Sequence, residues 1–187
     1  MTERSGLSAL LASGRKLAEA VEVWGSIPLK CSYYFTAKQP PAQWVSAVRA
    51  IVFRDDSVLV IRDKTDQLYI LPGGRCEKGE TPLETLRREV LEETGWTLKD
   101  PKLLGFIHFH HLGPKPADYP YPYPDFLWPI YIAEAGTYVP EAMQDDDYVQ
   151  DSKFYTIQET LELDIDKGYS VLPLLKAALE LRGHAKG

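Results

Sequence analysis

Glu89, Glu92 and Glu93 stand at i, i+3 and i+4, the spacing that brings three side chains to one face of a helix. Like charges this close repel one another, and near a helix C-terminus the peptide dipole adds a second unfavourable term. A stretch that combines two such penalties is a place where positive charge belongs. Oxygen donors at this density suit Mg2+ or Mn2+, whereas zinc draws on His or Cys. Such a set could handle a small polyanion that arrives with its cation. The plain alternative is a solvated acidic face.

The element that must position these carboxylates is a helix over Pro82 to Thr94. Thr81 supplies an N-cap, Pro82 suits the first helical position, Glu84 completes a Thr-x-x-Glu capping box, and Gly95 ends the helix. Leu83, Leu86 and Val90 form a narrow stripe that should face the core. Ahead of it, Trp44 to Phe53 and Ser57 to Arg62 read as strands around an Asp55-Asp56 turn, with a third at Gln67 to Leu71 that Pro72-Gly73-Gly74 breaks. Their continuous apolar runs suggest a sheet covered on both faces. Further strands are expected at Leu103 to His111, Phe126 to Ala133 and Lys153 to Thr156, with a closing helix from Ser170 to Arg182. At the N-terminus, Leu7, Leu10, Leu11, Leu17 and Ala18 recur near helical spacing, with Gly14 against it, and a strand follows at Leu29 to Thr36.

From Gly74 the chain has five residues, Glu80, seven residues, then Arg88-Glu89-Val90-Leu91-Glu92-Glu93-Thr94-Gly95-Trp96. This resembles the Nudix box, Gly-x5-Glu-x7-Arg-Glu-U-x-Glu-Glu-x-Gly-U, with U a bulky apolar residue. Trp96 stands where the family usually has an aliphatic residue. The surrounding strand pattern resembles a Nudix fold over roughly residues 44 to 165. The resemblance implies an α/β fold, an α/β/α sandwich with a mixed sheet, and divides the chain into an N-terminal accessory helix and strand segment, 1–40, and a hydrolase domain, 41–187.

The same resemblance implies Mg2+-dependent hydrolysis of a phosphoanhydride, with Mn2+ able to substitute. It assigns the metal to Glu89, Glu92, Glu93 and the Gly73 carbonyl. Catalytic roles fall to Glu89 and Glu92, either of which could activate the water, and to Arg88 and Glu80, where Arg88 orients the carboxylates by charge-assisted hydrogen bonds. A distant carboxylate is also open as base or metal contact. Residues 141–166 hold nine acids against Lys153 alone, and Glu141, Asp145, Asp146 and Asp147 are the candidates.

Two further features bear on substrate. Between Leu112 and Phe126, Tyr119, Tyr121 and Tyr123 alternate with prolines, which suggests a stiff extended loop whose rings could stack on a base or merely form a rigid connection. His108 and His110 share a strand face with His111 opposed. Phosphate or base contact is the reading carried for His108 and His110, beside metal ligation and ordinary strand histidines. The proline that the family's ADP-ribose hydrolases carry at a set distance after the box has no clean counterpart, Pro114 lying slightly too far along.

The composition bounds the rest. The 187 residues are 44% apolar and 26% charged, enough for a packed core, and the net charge of −6 argues against a nucleic-acid backbone as partner. No apolar run approaches the roughly 18 residues a membrane helix needs. Two cysteines, Cys31 and Cys76, and no export signal point to the cytoplasm. A small nucleotide substrate and a possible homodimer are the expected partners. The leading function is hydrolysis of a nucleoside di- or triphosphate. The alternatives are action on ADP-ribose, a nucleotide sugar or an RNA 5′ end, and a non-catalytic ligand-sensing module.

Overall fold

Local signals at both ends build the central helix. In the computed structural model, which describes residues 3–144, 148–165 and 171–185, helix α2 runs Pro82–Thr94. The Glu84 N–H donates to the Thr81 hydroxyl at 3.3 Å, and the Thr81 N–H donates to the Glu84 carboxylate at 2.8 Å. Gly95 adopts φ 73° and donates to the Leu91 carbonyl at 2.8 Å, closing the last turn.

The other elements, in chain order, are α1 (Glu3–Ala12), β1 (Arg15–Trp24), β2 (Ile27–Phe35), β3 (Ala47–Arg54), β4 (Ser57–Asp63), β5 (Leu68–Tyr69) and β6 (Gly73–Arg75) before α2. After it come β7 (Trp96–His111), β8 (Asp125–Tyr138), β9 (Val149–Thr156), α3 (Ile157–Glu162) and α4 (Leu172–Ala185), with short 3-10 turns at Ala42–Trp44 and Pro140–Ala142. Antiparallel ladders and one parallel bridge, Val45 to Leu127, make the sheet structure mixed, in an α/β architecture. No helix among the described residues is long and apolar enough to cross a membrane.

The chain forms two compact units, and β7 and β8 contribute a segment to each. The first comprises residues 1–46, 103–130 and 168–187. Its strand order is β1-β2-β7-β8, with β2 paired to β7 from Leu29↔His111 to Phe35↔Gly105. Leu7 and Leu10 of α1 pack with Tyr34, Phe106 and Leu127. An aromatic cluster also forms in this unit, with Phe109 and Phe126 stacked at 4.7 Å beside Trp24 and Trp128.

The second unit comprises residues 47–102 and 131–167. Here β4 pairs with β3, β5 and β9, and β6 pairs with β3. Residues 50 to 53 and 58 to 61 are buried without alternation, as the unbroken apolar runs require. Helix α2 lies against β3 and β6, and its Leu86 and Val90 are fully buried.

Three expectations need correction. The N-terminal helix stops at Ala12, and Leu17 and Ala18 belong to β1, because Gly14 ends the helical run and pairing with β2 overrides the local spacing. Leu83 does not join the core stripe and is 38% exposed, lying in the first turn of α2. The strand expected at Gln67 to Leu71 is reduced to Leu68–Tyr69, since Asp63 holds the preceding turn through the Thr65 and Gln67 N–H groups.

Candidate active site

The second unit gathers the box residues where β6 meets α2. Gly73 sits at φ 131°, and a Cβ there would lie 3.0 Å from Arg49 Cα and closer still to the Val48 carbonyl. Only glycine fits such a backbone in such contact. At Gly74 the obstacle is different: a Cβ would lie 2.6 Å from Glu89 Oε1 and nearer to Oε2. The missing side chain is the space that the Glu89 carboxylate uses.

Arg88 organises the acids. Its Nε and Nη2 donate to the two oxygens of Glu80 at 2.8 and 2.9 Å, and its Nη1 donates to Glu89 at 2.9 Å and Glu92 at 3.1 Å. Glu80 also accepts from the Thr85 hydroxyl at 2.7 Å. The Arg88 hydrogen bonds, helped by Thr85, bring the Glu80 carboxyl down to about 2. The same bonds, chiefly those to Glu80, push the Arg88 guanidinium further up, so it stays charged at any working pH.

Glu93 takes another direction. It is 8% exposed and accepts from the Gly73 N–H at 2.8 Å, so it ties α2 to β6. Arg49 donates to the carbonyls of Leu71 and Gly73, leaving the Gly73 oxygen beside a cation. Sequence reasoning missed Arg49, although a lone basic residue in the apolar run Ala47–Phe53 was the available signal. It also missed Gln144, whose N–H donates to the Glu92 carbonyl at 3.0 Å and whose amide donates to the Glu92 carboxylate at 2.9 Å.

The acidic segment begins beside these residues. Glu141 is exposed in the turn Pro140–Ala142, while Asp145, Asp146 and Asp147 lie outside the described residues. Trp96, the departure from the motif, is accommodated by rings: Tyr138 at 4.9 Å, Phe154 at 5.4 Å, and the Arg54 guanidinium 5.3 Å over it.

The tyrosines and histidines belong to the first unit. Tyr119, Tyr121 and Tyr123 do not form an extended ladder. Tyr119 and Tyr121 meet edge to face at 5.3 Å, the Tyr119 hydroxyl reaches His111 Nε2 at 2.8 Å, and Tyr123 donates to the Gly113 carbonyl at 3.0 Å. Packing against His111 and Phe126 folds the loop back on its own unit. His108 and His110 both converge on Asp125, a residue the sequence reading did not single out.

Comparison with known proteins bears on the family and the fold. A family model for the NUDIX domain matches residues 43–175. The chain is 39% identical over 74 residues to YjhB of Bacillus subtilis (strain 168), provisionally named an ADP-ribose pyrophosphatase; the match covers 40% of this chain and 36% of that protein. It is 42% identical over 62 residues to the ADP-ribose pyrophosphatase of Methanocaldococcus jannaschii, covering 32% of this chain and 37% of that one. These alignments thus span well under half the length of either relative. Among solved structures, a mutant of the Bacillus subtilis pyrophosphohydrolase BsRppH superposes with a TM-score of 0.62 at 23% identity, covering 87% of this chain and 96% of that one. With the glycine cradle, the Arg88 clamp and the domain match all in place over the same stretch of chain, this protein belongs to the Nudix family.

Proposed function

We propose that this chain hydrolyses a phosphoanhydride bond in a nucleoside di- or triphosphate, using divalent metal held by Glu89, Glu92, Glu93 and the Gly73 carbonyl. The observation that carries the reading is the Arg88 clamp, in which one guanidinium fixes Glu80, Glu89 and Glu92 together. A solvated acidic face has no need of that arrangement, and surface pairs alone contribute little to stability.

The donor set fits Mg2+ or Mn2+. It consists of oxygens, and a cationic nitrogen of Arg88 already bridges Glu89 and Glu92 at 2.9 and 3.1 Å. Bound divalent metal supplies charge neutralisation on the phosphate and a more acidic attacking water. The protein's own residues do the positioning. Arg88 holds the carboxylates in register, Glu80 anchors Arg88, and Glu93 fixes α2 against the Gly73 backbone. Glu89 or Glu92 accepts the proton of the water, and Glu141 or Asp145 to Asp147 are the remaining candidates for that role.

A second reading, ADP-ribose as substrate, rests on the names of two relatives, each aligned over less than half its length. One panel tests both. Nucleoside triphosphates, ADP-ribose, a nucleotide sugar and 5′-triphosphate RNA are incubated with Mg2+, and phosphate, pyrophosphate and nucleoside monophosphate are scored. Activity should vanish with chelator and fall at least about 100-fold in Glu92→Gln. Full activity in both Glu92→Gln and Glu93→Gln would overturn the metal assignment.

A further inference from the structure

The first unit holds a cluster that the box chemistry does not use. The alternation of a strand puts His108 and His110 of β7 on one face, and Asp125, the first residue of β8, comes up beside them. His108 Nε2 lies 2.7 Å and His110 Nδ1 2.8 Å from the same oxygen, Asp125 Oδ1. Two imidazoles therefore present different ring nitrogens to one point, with all three ligand atoms within 4.8 Å of one another. Among the described residues this is the group of three whose ligand atoms converge in this way.

We infer that His108, His110 and Asp125 form a second metal site, separate in its residues from the box and selective for a transition-metal dication such as Zn2+ or Co2+. The donor set decides the class of metal. Two imidazoles and one carboxylate suit zinc and its neighbours, while Mg2+ takes oxygen ligands alone. Three protein ligands leave a further coordination position for water or a ligand.

The surroundings allow it. The His108 side chain is 8% exposed and anchors the site, while His110 at 39% and Asp125 at 21% leave it open to solvent. Asp125 also lines an open pocket of about 350 Å³ with Gln43, Trp44 and Tyr123, a pocket that neither histidine lines. The strand register places Ser32 opposite His108 and Lys30 opposite His110. Glu19 accepts from Ser32 at 2.9 Å and is ion-paired with Lys16. Tetrahedral zinc with bonds of about 2.0–2.1 Å needs ligand atoms roughly 3.3 Å apart; both imidazoles must therefore draw back from Asp125 Oδ1 by about half an ångström, and their own nitrogens, which lie within 4.8 Å of each other, must settle at that spacing.

The test uses the full chain without a histidine tag. Co2+ and Zn2+ are titrated by calorimetry, with the Co2+ absorption bands as the reading of nitrogen ligation and the melting temperature as a third readout. Wild type and Glu92→Gln should each bind one equivalent at this site, with the bands present and the melting temperature raised. His110→Ala and Asp125→Asn should lose it by more than about tenfold. His110→Gln keeps a donor for Asp125, so it should keep the metal-free melting temperature and still lose the Co2+ bands. If wild type shows no such equivalent, or if His110→Gln folds normally and binds Co2+ as wild type does, the inference fails.

Discussion

Replacing Gly74 with Ala is the sharpest perturbation the site offers, because its neighbour Gly73 gives the contrast in stability. The new Cβ of Gly74→Ala would stand 2.6 Å from Glu89 Oε1. An ordinary contact is about 3.5 Å and Oε2 lies nearer than Oε1, so the carboxylate must retreat by more than about 1 Å. The carboxylate is the far end of a flexible side chain, so the fold should lose no more than about 1 kcal/mol, or roughly 2–4 °C in melting temperature. Function has no such tolerance. A misplacement of about 1 Å in a reacting group costs on the order of 100-fold, or about 2.7 kcal/mol of barrier. Gly73→Ala should differ in its effect on stability. Its Cβ meets the Val48 and Arg49 backbone at φ 131°, which cannot swing aside, so about 1–3 kcal/mol of strain should appear as a fall of several degrees. The assay pairs melting curves with kcat on the best nucleotide of the panel in Mg2+. Should Gly74→Ala keep kcat within about twofold of wild type, Glu89 does not act from the position seen here.

Three further outcomes follow from the same geometry. Glu80 has a depressed carboxyl, so its stabilisation is complete above its unfolded value of about 4.3 and is lost as pH falls toward about 2. Melting temperature should therefore drop across that acid window, and the Glu80→Gln variant should show a flatter slope. Thr81→Ala removes the α2 cap and should cost about 1 kcal/mol, a fall of roughly 2–4 °C by calorimetry. Trp96→Leu restores the usual aliphatic residue yet should destabilise by about 1–3 kcal/mol in urea, since it gives up the rings of Tyr138 and Phe154.

What the sequence made legible is what local physics determines. Thr81, Pro82, Glu84 and Gly95 act within a few residues of one another, so the bounds of α2 and the shared face of Glu89 and Glu92 were readable. Strand β1 was not, because its hold is the ladder to β2, and nothing local outweighed the helical spacing of Leu17 and Ala18. The direction of Glu93 depends on the Gly73 N–H, twenty residues earlier in the chain. Asp125 escaped notice for the same reason: its meaning comes from the pairing that sets it against His108 and His110.

Trp96 has one more consequence, an optical one. The chain has four tryptophans, and Trp24, Trp44 and Trp128 all fall in the first unit. Trp96 is the single indole of the second unit, three residues beyond Glu93 and packed on Tyr138 and Phe154. With the other three replaced by phenylalanine, its emission would report on the second unit, at the C-terminal end of the helix that carries the carboxylates. The residue that departs from the motif is thus a built-in fluorophore for testing whether the proposed cation and nucleotide bind.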